Sequence, residues 1–357
     1  MSSTLPRVLR AVLLSALALL IAAPADAAIR GPKGIRVQKV AGGLGHPTAI
    51  AFDMAGGVWT TSAQYGVSSS DGVWYVKRRG ARPRHVVRGL NTALGLTWFR
   101  GKLYVSHVVP YSASGGTYTG RVTAYSRFNG RRFKRRRTVI KGIPTGVHRV
   151  NAIVPGPGGR LYMGVGSSGD TSAGSRYGGT VVSFRPGGGG LRIEADGLRN
   201  PYGLAFAPDG ATLLVSDNGR DDLGNNRPPE ELNRFVVTGP APHFGFPRCW
   251  GFSGGRCGGT RAPLAELAPH SAVGGVATAE RFGPFGPTAF VAEHGSTIAS
   301  PPTGGVVRRV PLKAGRSDDL RFARGFRLYD PLGLAIGPGG ALHVTLHRSG
   351  RLIRFVP

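Results

Sequence analysis

Tyr202-Gly203-Leu204-Ala205-Phe206, then Pro208-Asp209-Gly210, then Leu213-Leu214-Val215, is the stretch that decides the fold. An apolar run of strand length meets a Pro-Asp-Gly turn, and a second apolar run follows at once. That is the signature of two short antiparallel strands joined by a tight turn. The same pattern recurs on both sides. Downstream it is Leu332-Gly333-Leu334-Ala335-Ile336, Pro338-Gly339-Gly340, Leu342-His343-Val344. Upstream it appears at Pro47–Phe52 with Val58-Trp59-Thr60, at Leu94–Trp98 with Leu103-Tyr104-Val105, and at Ala152-Ile153-Val154 with Leu161-Tyr162-Met163. A degenerate copy runs from Gly275-Val276-Ala277 to Ala289-Phe290-Val291.

Six units result, about 45 to 70 residues apart, a spacing that belongs to repeat architectures. Several carry a third element rich in β-branched and aromatic residues, such as Val73–Val76, Val122–Tyr125, Val181–Phe184 and Leu352–Phe355. Four short strands per unit and no long amphipathic pattern predict an all-β, six-bladed β-propeller around a central channel. A propeller must close, because an open sheet edge is a liability. Ile35–Val40 precedes the first unit as a lone strand and is expected to supply the outer strand of the last blade.

Composition fits this reading. The 58 Gly and 27 Pro are spread along the chain as turn punctuation. Arg7 and Arg10, the apolar Ala11–Ala23 and Ala25-Asp26-Ala27 form a secretory signal peptide over 1–27, which leaves 28–357 as the propeller and places the mature chain outside the cytoplasm. In that oxidising setting Cys249 and Cys257 are expected to form a disulfide. The net charge is +28, and its densest run is Arg131–Arg137. The remaining basic residues are scattered without a nucleic-acid module, so nucleic acid is not the expected partner. The run suits a solvated outer hairpin or a loose contact with an anionic cell surface.

Two familiar patterns fail on context. Gly164-Val165-Gly166-Ser167-Ser168-Gly169 follows a strand, but no helix follows it and it is no dinucleotide site. Gly251-Phe252-Ser253-Gly254-Gly255 lies between the cysteines, away from any strand-to-helix turn that a nucleophile elbow needs. No Cys/His spacing suits zinc.

The meander sorts the polar residues. Turns of the Pro-Asp-Gly type lie at one end of each blade. Residues just before the first strand and just after the second therefore emerge together at the other end. His148, Arg199-Asn200, Asp217–Asp222, His270, His294 and Asp330 all fall at such positions. An imidazole can take a hydroxyl proton near neutral pH, a guanidinium can hold an anion, and an oxygen-rich acidic loop suits calcium.

At these residues the chain resembles the soluble PQQ-dependent glucose/sorbosone dehydrogenase family. The resemblance lies in Gly197–Phe206, in Asp217-Asn218-Gly219-Arg220-Asp221 running on to Pro228–Asn233, in His243-Phe244-Gly245-Phe246-Pro247, and in Phe290–Ser296. It implies an oxidoreductase that oxidises a sugar hydroxyl, with pyrroloquinoline quinone (PQQ) and calcium over the channel mouth and an external electron acceptor. By the same resemblance His148 is the general base and Arg199 stabilises charge on the quinone. Asn200 and Arg220 bind the cofactor. Gly219 and Arg220 carbonyls with Asp217 ligate calcium, and Glu231 belongs to a structural calcium site. The chain departs from the family pattern at Val147, where an acid is expected, near Leu90, where a polar contact is expected, and at Asp330–Leu332, where paired arginines are expected. Two other readings stay open: a calcium-dependent lactonase with carboxylates aimed down the channel, and a non-catalytic binding propeller at the cell surface.

Overall fold

The computed structural model describes residues 29–64, 70–110, 118–313 and 321–357, so the signal-peptide segment lies outside the described residues. Six four-stranded antiparallel sheets succeed one another along the chain. Blade 1 is Pro47–Phe52, Val58–Ser62, Gly72–Val76 and Arg84–Arg88. Blade 2 is Gly95–Phe99, Lys102–Pro110, Tyr118–Phe128 and Phe133–Thr145. Blade 3 is Val150–Gly156, Arg160–Val165, Thr180–Phe184 and Arg192–Ala195. Blade 4 is Asn200–Phe206, Thr212–Asn218, Glu230–Val236 and Ala265–Leu267, with a small hairpin of Cys249–Trp250 and Gly254–Gly255 inserted before its last strand. Blade 5 is Val273–Ala279, Thr288–Glu293, Val306–Pro311 and Arg321–Ala323. Among the described residues the one helical element is a single 3-10 turn at Pro157–Gly159.

Blade 6 is Pro331–Ile336, Leu342–Leu346 and Arg351–Val356, and its fourth strand is Arg36–Gly42 from the start of the chain. The expected closure is therefore observed. Val40 and Ala41 of that strand are buried with Leu352 and with Val58 and Val76 of blade 1. The expected Cys249–Cys257 disulfide is also present and staples the inserted hairpin.

The core lies between blades. Val122 and Ile140 of blade 2 pack with Ile153, Leu161 and Phe184 of blade 3, and Phe290 and Phe322 of blade 5 pack with Leu342 and Phe355 of blade 6. Trp59 joins blade 1 to blade 2 through Trp98, Phe128 and Phe133. Around the channel the innermost strands come very close. A Cβ at Gly203 would press on the backbone of Gly274–Val276, and one at Gly333 would collide with Thr48. This is why blades 2, 4 and 6 place glycine second in the repeat, at Gly95, Gly203 and Gly333, since only a residue without a side chain permits that approach. Hydroxyls on second strands bridge the same seams. Ser106 Oγ donates to Asn151 O (2.6 Å), Ser216 Oγ to Gly274 O (2.5 Å) and Thr345 Oγ1 to Thr48 O (3.4 Å). The last bond links blade 6 to blade 1, so the closing seam is built like the interior ones.

Candidate active site

Blade 3 presents His148 and blade 4 presents Arg199, and the backbone welds the two together. Blade 3's ladder continues past its strands, with Val147 N donating to Ser168 O (2.9 Å) and Gly166 N to Arg149 O (2.9 Å). Ser167 N then donates to Arg199 O of the next blade (2.7 Å). A Cβ at Gly166 would collide with Cβ of His148, so glycine is required for this ladder to form beside the imidazole.

The tautomer of His148 follows from its partners. Ser167 Oγ donates its one proton to Gly169 O at 2.7 Å. Nδ1 of His148 lies 3.0 Å from that Oγ and 3.2 Å from Ser167 O, both of which can then only accept. Nδ1 therefore carries the proton, and Nε2 keeps its lone pair. Burial, with the Arg199 charge next, pushes the imidazole down to about 4, so it is neutral at ordinary pH.

Arg199 is 4 % exposed, and its guanidinium is heavily engaged. Nη2 pairs with Asp170 and with Asp221 (3.0 Å), Nε donates to Asp170 O (3.2 Å) and Nη1 to Asn218 O (3.3 Å). Asp217 pins the backbone beneath it, accepting from Arg199 N (3.0 Å) and Asn200 N (2.7 Å). The Asn200 side chain accepts from Asn151 Nδ2 at 2.9 Å. Arg220 forks onto Asp222 (2.9 and 2.7 Å) and reaches Pro247 O (2.8 Å).

Asp217, Gly219, Arg220 and Glu231 line one small void of about 20 Å³ together with Arg199 and Trp250. Glu231 accepts from Gly251 N (2.6 Å) and Asn233 Nδ2 (2.9 Å), and burial followed by the Asp217 charge pushes its carboxyl up to about 8. Neighbouring Glu230 accepts from Gly219 N (2.6 Å) and Ala272 N (3.1 Å). Two buried carboxylates and nearby carbonyls are oxygen donors of the type calcium takes, and the void has the volume of one small ion or water. That donor set fits calcium. Among the described residues no three His, Cys, Asp or Glu side chains gather tightly enough to hold a metal alone, so backbone oxygens would complete the shell.

The channel mouth itself is a cavity of about 330 Å³. Gln64, Thr92, Tyr118, Arg149, Tyr202, His294 and His347 supply its polar wall, with Val147 beside them. His148 and Arg199 lie next to this cavity rather than in its wall. His294 and His347 are both pushed down by burial, His294 to about 3, and their rings meet edge to face at 5.2 Å. Arg149 stacks over Tyr118 at 4.7 Å, and its Nη1 is buried with no hydrogen-bond partner. A polar-walled cavity with one unsatisfied cationic donor suits one carboxylate of an acidic ligand. Below it, the channel of about 370 Å³ is walled by inner-strand residues such as Ile50, Leu96 and Ile153, with no charged side chain among the described residues that line it.

Gln64, Arg149 and His347 were not singled out from sequence. His347 directly follows the second strand of blade 6 and Gln64 lies two residues beyond that of blade 1, so both obey the rule that placed Asp217 and His294. Leu90 is buried in the core under blade 1 and blade 2, and Gln64 with Thr92 provides the polar groups at that side of the mouth. His270 and Asp330 also lie at this end: His270 Nε2 meets Gly224 O (2.8 Å), and Asp330 holds the Ser349 hydroxyl.

No protein-family model matches the chain. An uncharacterized protein of Borreliella burgdorferi is 33 % identical over 149 residues, a match that spans 38 % of this chain and 38 % of that relative. Solved structures match over nearly the whole length. The holo PQQ domain of pyranose dehydrogenase from Coprinopsis cinerea superposes with a TM-score of 0.73 at 18 % identity, covering 93 % of this chain and 98 % of the other. The soluble aldose sugar dehydrogenase of Escherichia coli in its apo form gives 0.70 at 17 %, covering 90 % and 99 %. A calcium structure of a Trichoderma reesei carbohydrate-active enzyme of family AA12 gives 0.69 at 19 %, covering 92 % and 97 %. The chain is a six-bladed propeller with the fold of the soluble PQQ-type sugar dehydrogenases.

Proposed function

We propose that this chain is an exported oxidoreductase that oxidises the hydroxyl of an aldose or related sugar with PQQ and calcium, passing electrons to an external acceptor. The observation that carries the proposal is His148: a neutral imidazole whose Nδ1–H is locked on Ser167 and whose Nε2 is left as the base. When bound, the quinone supplies a two-electron acceptor and calcium a Lewis acid beside it. The residues of the chain do the rest. Nε2 of His148 takes the proton of the sugar hydroxyl as its carbon is oxidised. Gln64, Thr92 and Tyr202 can hydrogen-bond the other hydroxyls. Asp217 keeps Arg199 and Asn200 in register with the base. Asp217 and the carbonyls of Gly219 and Arg220 would hold the calcium, Glu231, which lines the same void, would serve a structural calcium, and Arg199, Asn200 and Arg220 would bind the cofactor.

The test is dye reduction by the purified protein with PQQ, calcium and a panel of aldoses. Activity that His148→Ala lowers by about 10²–10⁴-fold supports the reading. Full activity in that variant refutes the assigned base. Metal-dependent lactone hydrolysis without quinone, or silence in both assays, refutes the oxidoreductase itself. Export is checked by N-terminal sequencing of the protein recovered outside the cell, expected to begin at Ala28.

A further inference from the structure

We infer that Arg149 is the anchor for a carboxylate at the channel mouth. Arg199 is paired with Asp170 and Asp221, Arg220 with Asp222 and Arg308 with Glu293. Arg149 forms no ion pair among the described residues, yet its Nη1 is buried against the cavity. A guanidinium keeps its charge in any such setting. A buried charge without a counter-ion is expensive. The Tyr118 ring face offsets part of that cost by a cation–π contact. It leaves the N–H vectors that a planar anion would accept.

The wall says which anion. His294 and His347 are held neutral by burial, so among the described residues Arg149 is the single cation of the cavity wall. A single carboxylate matches both the charge and the planar fork of the guanidinium. Thr92, Gln64, Tyr118 and Tyr202 around it are neutral hydrogen-bonding groups suited to hydroxyls or ring carbonyls. The ligand is thus a hydroxylated or carbonyl-rich acid. Two sources share that chemistry: a sugar acid in place of a neutral aldose, and a carboxylate of the quinone. The inference rests on the sugar-oxidoreductase reading for these two sources.

The experiment measures binding without turnover, so its outcome is separate from any failure of catalysis. Glucuronate and glucose are titrated by calorimetry into the purified protein without quinone, and PQQ is titrated separately by its absorbance. Each is repeated with Arg149→Gln and Arg149→Lys. If the carboxylate is the sugar's, glucuronate binds about tenfold or more tighter than glucose, Arg149→Gln removes the preference and Arg149→Lys keeps part of it. If it is the quinone's, the sugars do not differ and Arg149→Gln weakens PQQ binding about tenfold. Both variants should melt no lower than the parent, because the substitution to Gln removes an uncompensated buried charge and that to Lys keeps it. A folded Arg149→Gln protein that changes neither the sugar preference nor PQQ affinity overturns the inference. So does binding of neither probe by the parent, or a lowered melting temperature in both variants, which would make Arg149 a structural residue.

Discussion

Consider the proposed enzyme assayed across the acid range. An imidazole free in water titrates near 6.5, so a catalytic base of that kind would be only about 9 % in its basic form at about pH 5.5. His148 is held at about 4 by burial and by the Arg199 charge. At the same pH it would be about 97 % basic. The acid limb of kcat/KM should therefore lie near pH 4, and activity at pH 5.5 should stay close to the plateau. The sign follows from the direction of the shift: depressing a histidine's pKa extends its basic form toward lower pH. The measurement is dye reduction at limiting sugar, with the folded fraction followed by circular dichroism at each pH. Ser167→Ala supplies an internal control. It removes one acceptor of Nδ1–H and leaves Ser167 O, 3.2 Å away, so the loss should be that of one hydrogen bond, about threefold to tenfold in rate, with the limb still well below 6.5. An acid limb at 6.5 in the parent, with the fold intact, would refute the buried base and the tautomer assigned to it.

Asp217→Ala should cost about 2–6 kcal/mol in chemical denaturation, because it strands the buried donors Arg199 N and Asn200 N at about 1–3 kcal/mol each; a loss below about 1 kcal/mol would mean that water replaces the carboxylate. The exposed strand that carries Lys134 to Arg137 has no ion pair among the described residues, and contact with an anionic surface should strengthen by about 1 kcal/mol per basic residue. Replacing Arg135, Arg136 and Arg137 with Ser should weaken co-sedimentation with anionic vesicles by about two powers of ten at low salt, whereas an equal fall on replacing Arg78, Arg79 and Arg82 would reduce the effect to net charge.

The fold was readable because its rules are local. Each blade repeats an apolar strand, a Gly- or Pro-bearing turn and a second apolar strand, and even the degenerate fifth copy forms Val273–Ala279 and Thr288–Glu293. The closing strand was readable from its isolation ahead of the first repeat. The site was readable as far as strand ends reach. That rule brings His148, Arg199 and Asp217 to one place, and applied to every blade it would have added Gln64 and His347. Asp170 escaped it, since it lies in a loop 29 residues from the guanidinium that it pairs with. Arg149 escaped for a different reason. Its interest lies in having no acidic partner among the described residues, and that lack is a property of three-dimensional packing that no pattern of residue types carries.

The two arginines beside His148 act on it unequally, and that difference couples the base to the ligand. Arg199 and Arg149 both hold the imidazole pKa down, while Asp170 holds it up. The Arg199 charge is already shared with Asp170 and Asp221, so it changes little when a ligand arrives. The Arg149 charge has no counter-ion, and a carboxylate seated on it would cancel its pull on the neighbouring ring. Binding would then make His148 a stronger base in the complex than in the free protein. The pH dependence of kcat reports the complex and that of kcat/KM the free enzyme. With an acidic ligand on Arg149 the acid limb of kcat should therefore lie at higher pH than that of kcat/KM, and Arg149→Gln should bring the two together by raising the lower one. Limbs that coincide in the parent protein would show that no anion arrives at Arg149 with the sugar substrate.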